Sequence, residues 1–194
     1  MNHFFALTLP EEMRRKIADH SRRWRELLGT DFPAHWYEPE DYHVTLKFLG
    51  DVPDERQAEL ISTAAPVAEA TEPFGIPMAS PGVFPNERFV NVLIRHLRSG
   101  DELLSLYRRM EAGMQTLGFP REGKRDYLPH VTVARCRRRL RQEVPILSIS
   151  HEQMFVEFSV DRLVLMRTTP PETRQKDRPI RYNTVHTFPF GNTH

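Results

Sequence analysis

His43-Val44-Thr45-Leu46-Lys47-Phe48-Leu49-Gly50 and His130-Val131-Thr132-Val133-Ala134-Arg135 decide how this chain is read. Both open on His-Val-Thr, and each follows an Asp-Tyr pair a short distance upstream, Asp41-Tyr42 and Asp126-Tyr127. With 13 threonines and nine histidines present, two His-x-Thr matches are unremarkable. Requiring the central Val lowers the chance expectation to about 0.04, so two copies point to an internal duplication with one copy in each half. Both stretches read as strands, where side chains alternate between faces. His43 and Thr45 then share one face while Val44 and Leu46 take the other, and His130 and Thr132 are backed likewise by Val131 and Val133. Apolar residues can anchor each strand while the other face displays an imidazole and a hydroxyl.

Two such faces, opposed across a groove, surround a small ligand with two imidazoles and two hydroxyls. Imidazole titrates near neutrality, so one ring can act as base while its partner acts as acid. Threonine hydroxyls can donate to non-bridging phosphate oxygens and stabilise charge that develops in the transition state. That is a metal-independent design for opening a phosphodiester.

The rest of the chain supplies the frame. Its 194 residues suffice for one domain with a sizeable core. Hydrophobic residues are 39%, charged residues 27% and mean hydropathy −0.53, which together describe a soluble globular protein. No apolar run approaches a membrane span. Phe4 to Leu9 is too short for a secretory signal core, and a cytoplasmic protein is expected. The lone Cys136 excludes an internal disulfide framework and a Cys-rich zinc site. No H-E-x-x-H motif or Cys/His cluster accompanies the nine histidines, so neither metal nor other cofactor is expected.

Phe4 to Leu9 reads as a strand, and Pro10-Glu11-Glu12 opens a helix with proline and acids in its first turn. Met13, Ile17, Trp24, Leu27 and Leu28 form its apolar stripe, and Gly29 ends it. A second helix is expected from about Pro53 to Ala65, with Leu60, Ile61 and Ala64 inward. A third begins at a Ser99/Glu102 capping box, carries Leu103, Leu106, Tyr107, Met110, Met114 and Leu117, and closes at Gly118. Strands are expected over Tyr42 to Leu49, Phe89 to Leu97, Pro129 to Arg135, Gln153 to Met166 and Arg181 to Phe190. Helices among short strands with Pro- or Gly-marked turns indicate α+β with mainly antiparallel sheet. Thr168 to Arg181 is a polar, proline-rich loop placed to border a site.

The chain is similar to the two-histidine (2H) phosphoesterase superfamily, and within it to the RNA 2′,3′-cyclic phosphodiesterases, also called 2′-5′ RNA ligases. The resemblance spans nearly the whole chain. It includes Phe4 to Pro10, Trp36, His43 to Gly50, Leu117-Gly118-Phe119-Pro120, Pro129 to Arg135 and the Tyr182 to Phe190 strand. It implies one bilobal domain over residues 1–194 with pseudo-twofold symmetry, antiparallel sheets lining a central groove and helices packed outside. It implies hydrolysis of a terminal 2′,3′-cyclic phosphate to a 2′-phosphate, with reversible 2′-5′ ligation by the same pair of imidazoles. Carried onto this sequence, His43 is the proton donor and His130 the proton acceptor, and Thr45 and Thr132 bind the phosphate. The pseudo-symmetry leaves the two imidazoles nearly interchangeable at this level.

Arg135 is a further candidate phosphate ligand, although simple alternation puts it opposite His130 and only a twist or bulge would bring it round. Lys47, Phe48 and Tyr127 are candidate base or backbone contacts, and Trp36, Tyr42 and Phe84 complete the aromatic candidates. Net charge is only +1, yet Arg121 to Arg141 holds eight basic residues and two acidic ones. The local charge suits an anionic partner, and within it Arg137-Arg138-Arg139 is placed to guide an RNA backbone. The expected partners are RNA ends or nucleotides bearing a 2′,3′-cyclic phosphate, met by a monomer without membrane contact. Two alternatives stand: a non-catalytic nucleotide- or RNA-end-binding protein, and the same chemistry on another cyclic or 2′-5′-linked nucleotide.

Overall fold

The computed structural model describes residues 1–86, 89–121, 126–140, 156–177 and 180–191. The described chain runs β1 (Asn2–Thr8), α1 (Glu11–Leu28), β2 (Ala34–Trp36), β3 (His43–Asp51), α2 (Gln57–Glu69), β4 (Phe74–Asn86), β5 (Phe89–Leu97), α3 (Asp101–Thr116), β6 (His130–Leu140), β7 (Glu157–Val160), β8 (Arg162–Thr168) and β9 (Tyr182–Pro189). The strands follow the order β7-β4-β5-β6-β3-β1-β8-β9, with β2 pairing β6 as well. Every described pairing is antiparallel, so the chain is α+β as its sequence predicts. The two motif strands meet at the centre of this path, where Val44 pairs with Val131.

β1–α1–β3 and β5–α3–β6 share one strand–helix–strand plan, and their registers correspond residue by residue. On one side His43 pairs with Thr8, Thr45 with Ala6, Lys47 with Phe5 and Phe48 with Phe4. On the other side His130 pairs with His96, Thr132 with Ile94, Ala134 with Leu93 and Arg135 with Val92. Each ladder skips one residue just after the threonine, Leu46 in β3 and Val133 in β6. An extra residue of this kind is a β-bulge, which locally reverses the alternation of side chains. Leu46 and Lys47 are therefore both buried while Phe48 emerges, and Val133 and Ala134 are both buried while Arg135 emerges.

α1 keeps Met13, Ile17 and Trp24 in the core, and Gly29 at φ 79° returns its amide to the Arg25 carbonyl. Leu27, by contrast, is exposed. The second helix starts at Gln57 after a 3₁₀ turn over Asp54–Arg56 and carries Pro66 in its last turn. The capping box foreseen for α3 does not form: the helix begins at Asp101 with Gly100 as its cap, which leaves Ser99 one position too far out. One strand foreseen from Gln153 to Met166 is two, broken at Asp161, and residues 153–155 lie outside the described residues.

The bulge at Leu46 has an electrostatic consequence. It turns Lys47 away from the His43 face and into the core, where its ammonium pairs with Glu111 of α3 at 2.8 Å and donates to the Pro120 carbonyl at 2.5 Å. Both side chains are essentially inaccessible to water. Lys47 is thus a tie between β3 and α3 and not a ligand contact. A buried pair of this kind is costly to break from one side, because the remaining charge stays desolvated, and cheap to replace as a whole. Glu111→Leu is expected to lose about 3 kcal/mol of stability. Lys47→Met combined with Glu111→Leu should recover most of that loss, as read by denaturant unfolding.

Candidate active site

Continuing the Val44–Val131 register by one residue in each direction sets His43 beside Thr132 and Thr45 beside His130. The two imidazoles and two hydroxyls therefore form one crossed quartet on neighbouring strands, all four half-buried. The sheets expected to line the site are linked through this pair into a single path.

Both rings are oriented by the same device. His43 Nδ1 lies 2.7 Å from the Asp41 carbonyl, and His130 Nδ1 lies 2.8 Å from the Leu128 carbonyl. A carbonyl can only accept, so Nδ1 carries the hydrogen in each ring and Nε2 is left free for chemistry. Burial pushes the His43 imidazole down to about 4, opposed by its bond to Asp41 and reinforced by the neighbouring charge of His130. His130 is depressed as well, again by burial first. Both rings are then neutral near pH 7, each with a bare Nε2 able to accept a proton.

Aromatic rings fix the imidazoles in place. Phe4 lies 4.9 Å from His43 and Tyr182 meets it edge-on at 5.0 Å, while Phe84 meets His130 edge-on at 5.0 Å. Phe4 forms a small apolar cluster with Ala6, Val164 and Met166, and Tyr182 packs against both this cluster and the main core. Beside His130, its ladder partner His96 also touches Phe84, at 5.9 Å. Gly82 makes room for His96, since a Cβ there would overlap the imidazole Nε2.

Arg135 comes round through the bulge at Val133. Its guanidinium donates to the Tyr37 hydroxyl, which lies 3.3 Å from that of Tyr182. Of the Arg137-Arg138-Arg139 run, the side chains of residues 138 and 139 lie outside the described ones. Phe48 occupies the position on β3 equivalent to Arg135 and is 46% exposed. Tyr127 stacks its ring on Tyr107 at 4.2 Å and donates its hydroxyl to the Thr45 carbonyl at 2.9 Å, so it braces β3. Tyr42 is buried in the core and Trp36 packs against that core from β2. Sequence reading passes over Phe4, Tyr37, Tyr182 and His96, because no local pattern marks a residue that reaches the site only through strand order. A cavity of about 610 Å³ bounded by Thr8, Arg14, Glu40, Tyr42 and Met166 has no histidine in its lining. Among the described residues no three of His, Cys, Asp and Glu gather as metal ligands, and no helix is long and apolar enough to cross a membrane.

This chain belongs to the 2′-5′ RNA ligase superfamily, whose family model matches residues 13–171. An RNA 2′,3′-cyclic phosphodiesterase from Methanothermobacter thermautotrophicus is 34% identical over 133 residues, covering 68% of this chain and 69% of that protein. One from Geobacillus stearothermophilus is 30% identical over 193 residues, or 97% of this chain and 57% of the longer relative. The crystal structure of TT0787 of Thermus thermophilus superposes with a TM-score of 0.79 at 23% identity, covering both chains completely. Escherichia coli LigT complexed with 3′-AMP gives 0.68 at 20% identity over 97% of each chain.

Asp41 connects the two sides of the His43 pocket. Its carbonyl orients His43, and its buried carboxylate accepts the Arg181 amide at 2.8 Å, one residue before Tyr182. Burial raises the Asp41 carboxyl from 3.8 to about 6, against the pull of the Arg181 and Tyr182 amides. A group with a raised folded-state pKa lends stability that is full below 3.8 and is lost as pH rises through about 6. Asp41→Asn keeps an acceptor and has no proton to lose. Its stability relative to the native chain should climb across that window and level off above it, as read by thermal melts at stepped pH.

Proposed function

We propose that this chain hydrolyses terminal 2′,3′-cyclic phosphates of RNA, leaving 2′-phosphates, by two-histidine acid/base catalysis. Membership of the 2′-5′ RNA ligase superfamily and the names of its relatives support the reaction class. The observation that carries the mechanism is the equivalent setting of His43 and His130, each held by Nδ1 on the carbonyl two residues back.

In this reading the cyclic phosphate sits over the crossed quartet. His130 Nε2 takes a proton from water as the water oxygen bonds to phosphorus. The P–O3′ bond breaks, and His43 in its protonated form delivers a proton from Nε2 to O3′. Thr45 and Thr132 donate to the non-bridging oxygens, where charge builds. Arg135, anchored on Tyr37, supplies the fixed positive charge beside them. The substrate's own negative charge favours protonation of the low-pKa imidazole on binding. With a 5′-hydroxyl in place of water, the same proton transfers form a 2′-5′ P–O bond as the P–O3′ bond breaks, and the reverse of that exchange re-forms the cyclic phosphate and releases the 5′-hydroxyl. The reading includes one bilobal domain with a motif in each half, working as a cytoplasmic monomer. A 3′-nucleotide bound to the distant structural relative LigT is compatible with a site that takes an RNA terminus.

Incubation with a 2′,3′-cyclic mononucleotide in excess chelator should yield the 2′-phosphate isomer, identified by phosphorus NMR. His43→Ala and His130→Ala should each lose about 10²–10⁴-fold in kcat/KM, and the threonine variants less. Binding of that nucleotide without turnover would instead establish an end-binding module. Because both imidazoles are depressed, the bell-shaped profile of kcat/KM should peak on the acid side of 6.5.

A further inference from the structure

Among the described residues the surface beyond the quartet is asymmetric. β2 pairs with β6 so that His35 stands directly across from Arg135. Arg137 follows two residues along the same strand, its amide held by the Pro33 carbonyl at 2.7 Å, and strand alternation places it on the Arg135 side. His35, Arg135 and Arg137 are all exposed. The β8–β9 loop adds Arg181, whose guanidinium lies 4.7 Å above the Tyr37 ring, and Arg174, which closes the loop by donating twice to the Thr169 carbonyl. The charges acting on His35 are all positive, from Arg137, Arg181 and Arg174, and they add to burial in depressing its basicity.

Among the described residues this surface adjoins the His43 imidazole and not that of His130. Arg135 reaches Tyr37, Tyr37 meets Tyr182, and Tyr182 packs on His43. At the position matching Arg135 in the other motif the chain presents Phe48. In-line attack places water opposite the departing O3′, so the ribose and everything attached to it lie on the side of the proton donor. An RNA strand whose end is held at His43 would leave across the basic surface.

We propose that His35, Arg137, Arg174 and Arg181, continuing outward from Arg135, form a track for the phosphodiester backbone upstream of the terminal nucleotide. The inference rests on the hydrolase reading for its direction and adds a substrate class: oligonucleotides over mononucleotides. Guanidiniums are the side chains best suited to phosphate oxygens.

At low salt, kcat/KM for a short oligoribonucleotide ending in a 2′,3′-cyclic phosphate should exceed that for the cyclic mononucleotide about tenfold or more. The advantage should sit in KM and shrink as salt rises, since each phosphate contact contributes a slope of about −0.7 in log affinity against log salt. Arg137→Glu and Arg181→Gln should remove most of it while changing mononucleotide turnover less than about twofold. Fluorescence anisotropy with a 2′-phosphate-ended oligoribonucleotide reads the same contacts without turnover. Equal kcat/KM for the two substrates, an advantage that Arg137→Glu leaves intact, or tighter binding of an acidic peptide than of the oligonucleotide would each overturn the track. Loss of hydrolysis with salt-dependent, Arg137-dependent binding retained would count against the hydrolase reading and in favour of the track.

Discussion

The pairing of Val44 with Val131 is the constraint on which the site depends. Two apolar residues buried on the core side fix the register of neighbouring strands, and that register alone crosses each imidazole with the other motif's hydroxyl. A slip of either strand by one residue would turn its imidazole and hydroxyl into the core and its valine out, so the hydrophobic effect sets the chemistry.

The paired bulges add a second layer of control. After the threonine, each strand spends one extra residue and then presents a different side chain to the working face: Phe48 on one strand, Arg135 on the other. The residue before each emerges on the core side, where it has been used differently. Ala134 simply packs, whereas Lys47 reaches across to Glu111 and links the motif strand to α3. The same backbone figure therefore holds two halves in register while letting their side chains diverge.

The helices and the strands around the two motifs are legible in the chain because their signals are local: Pro10 with acids at the start of α1, glycines past the ends of α1 and α3, and runs of Val, Ile and Phe. β4 is not, since Phe74–Asn86 carries Pro77, Pro81 and Pro85 and its ladder with β5 is irregular at two points. The bulges leave no mark either, as neither Leu46 nor Val133 is a residue type that announces a break in alternation. Simple alternation misplaces Lys47 for that reason, and the same kind of break brings Arg135 round. Phe4 and Tyr182 come to His43 from opposite ends of the sequence, through a strand order that no spacing in the chain encodes.

A site with true twofold symmetry would have no way to give its two imidazoles different duties. It would bind a cyclic diester in two poses related by the axis, with the imidazoles trading roles between them. Replacing one apolar ring by one guanidinium at matched positions lifts that degeneracy. The Phe48/Arg135 difference thus distinguishes the two sides of the quartet. It costs no change in the backbone, and it converts a duplicated scaffold into one with a front and a back.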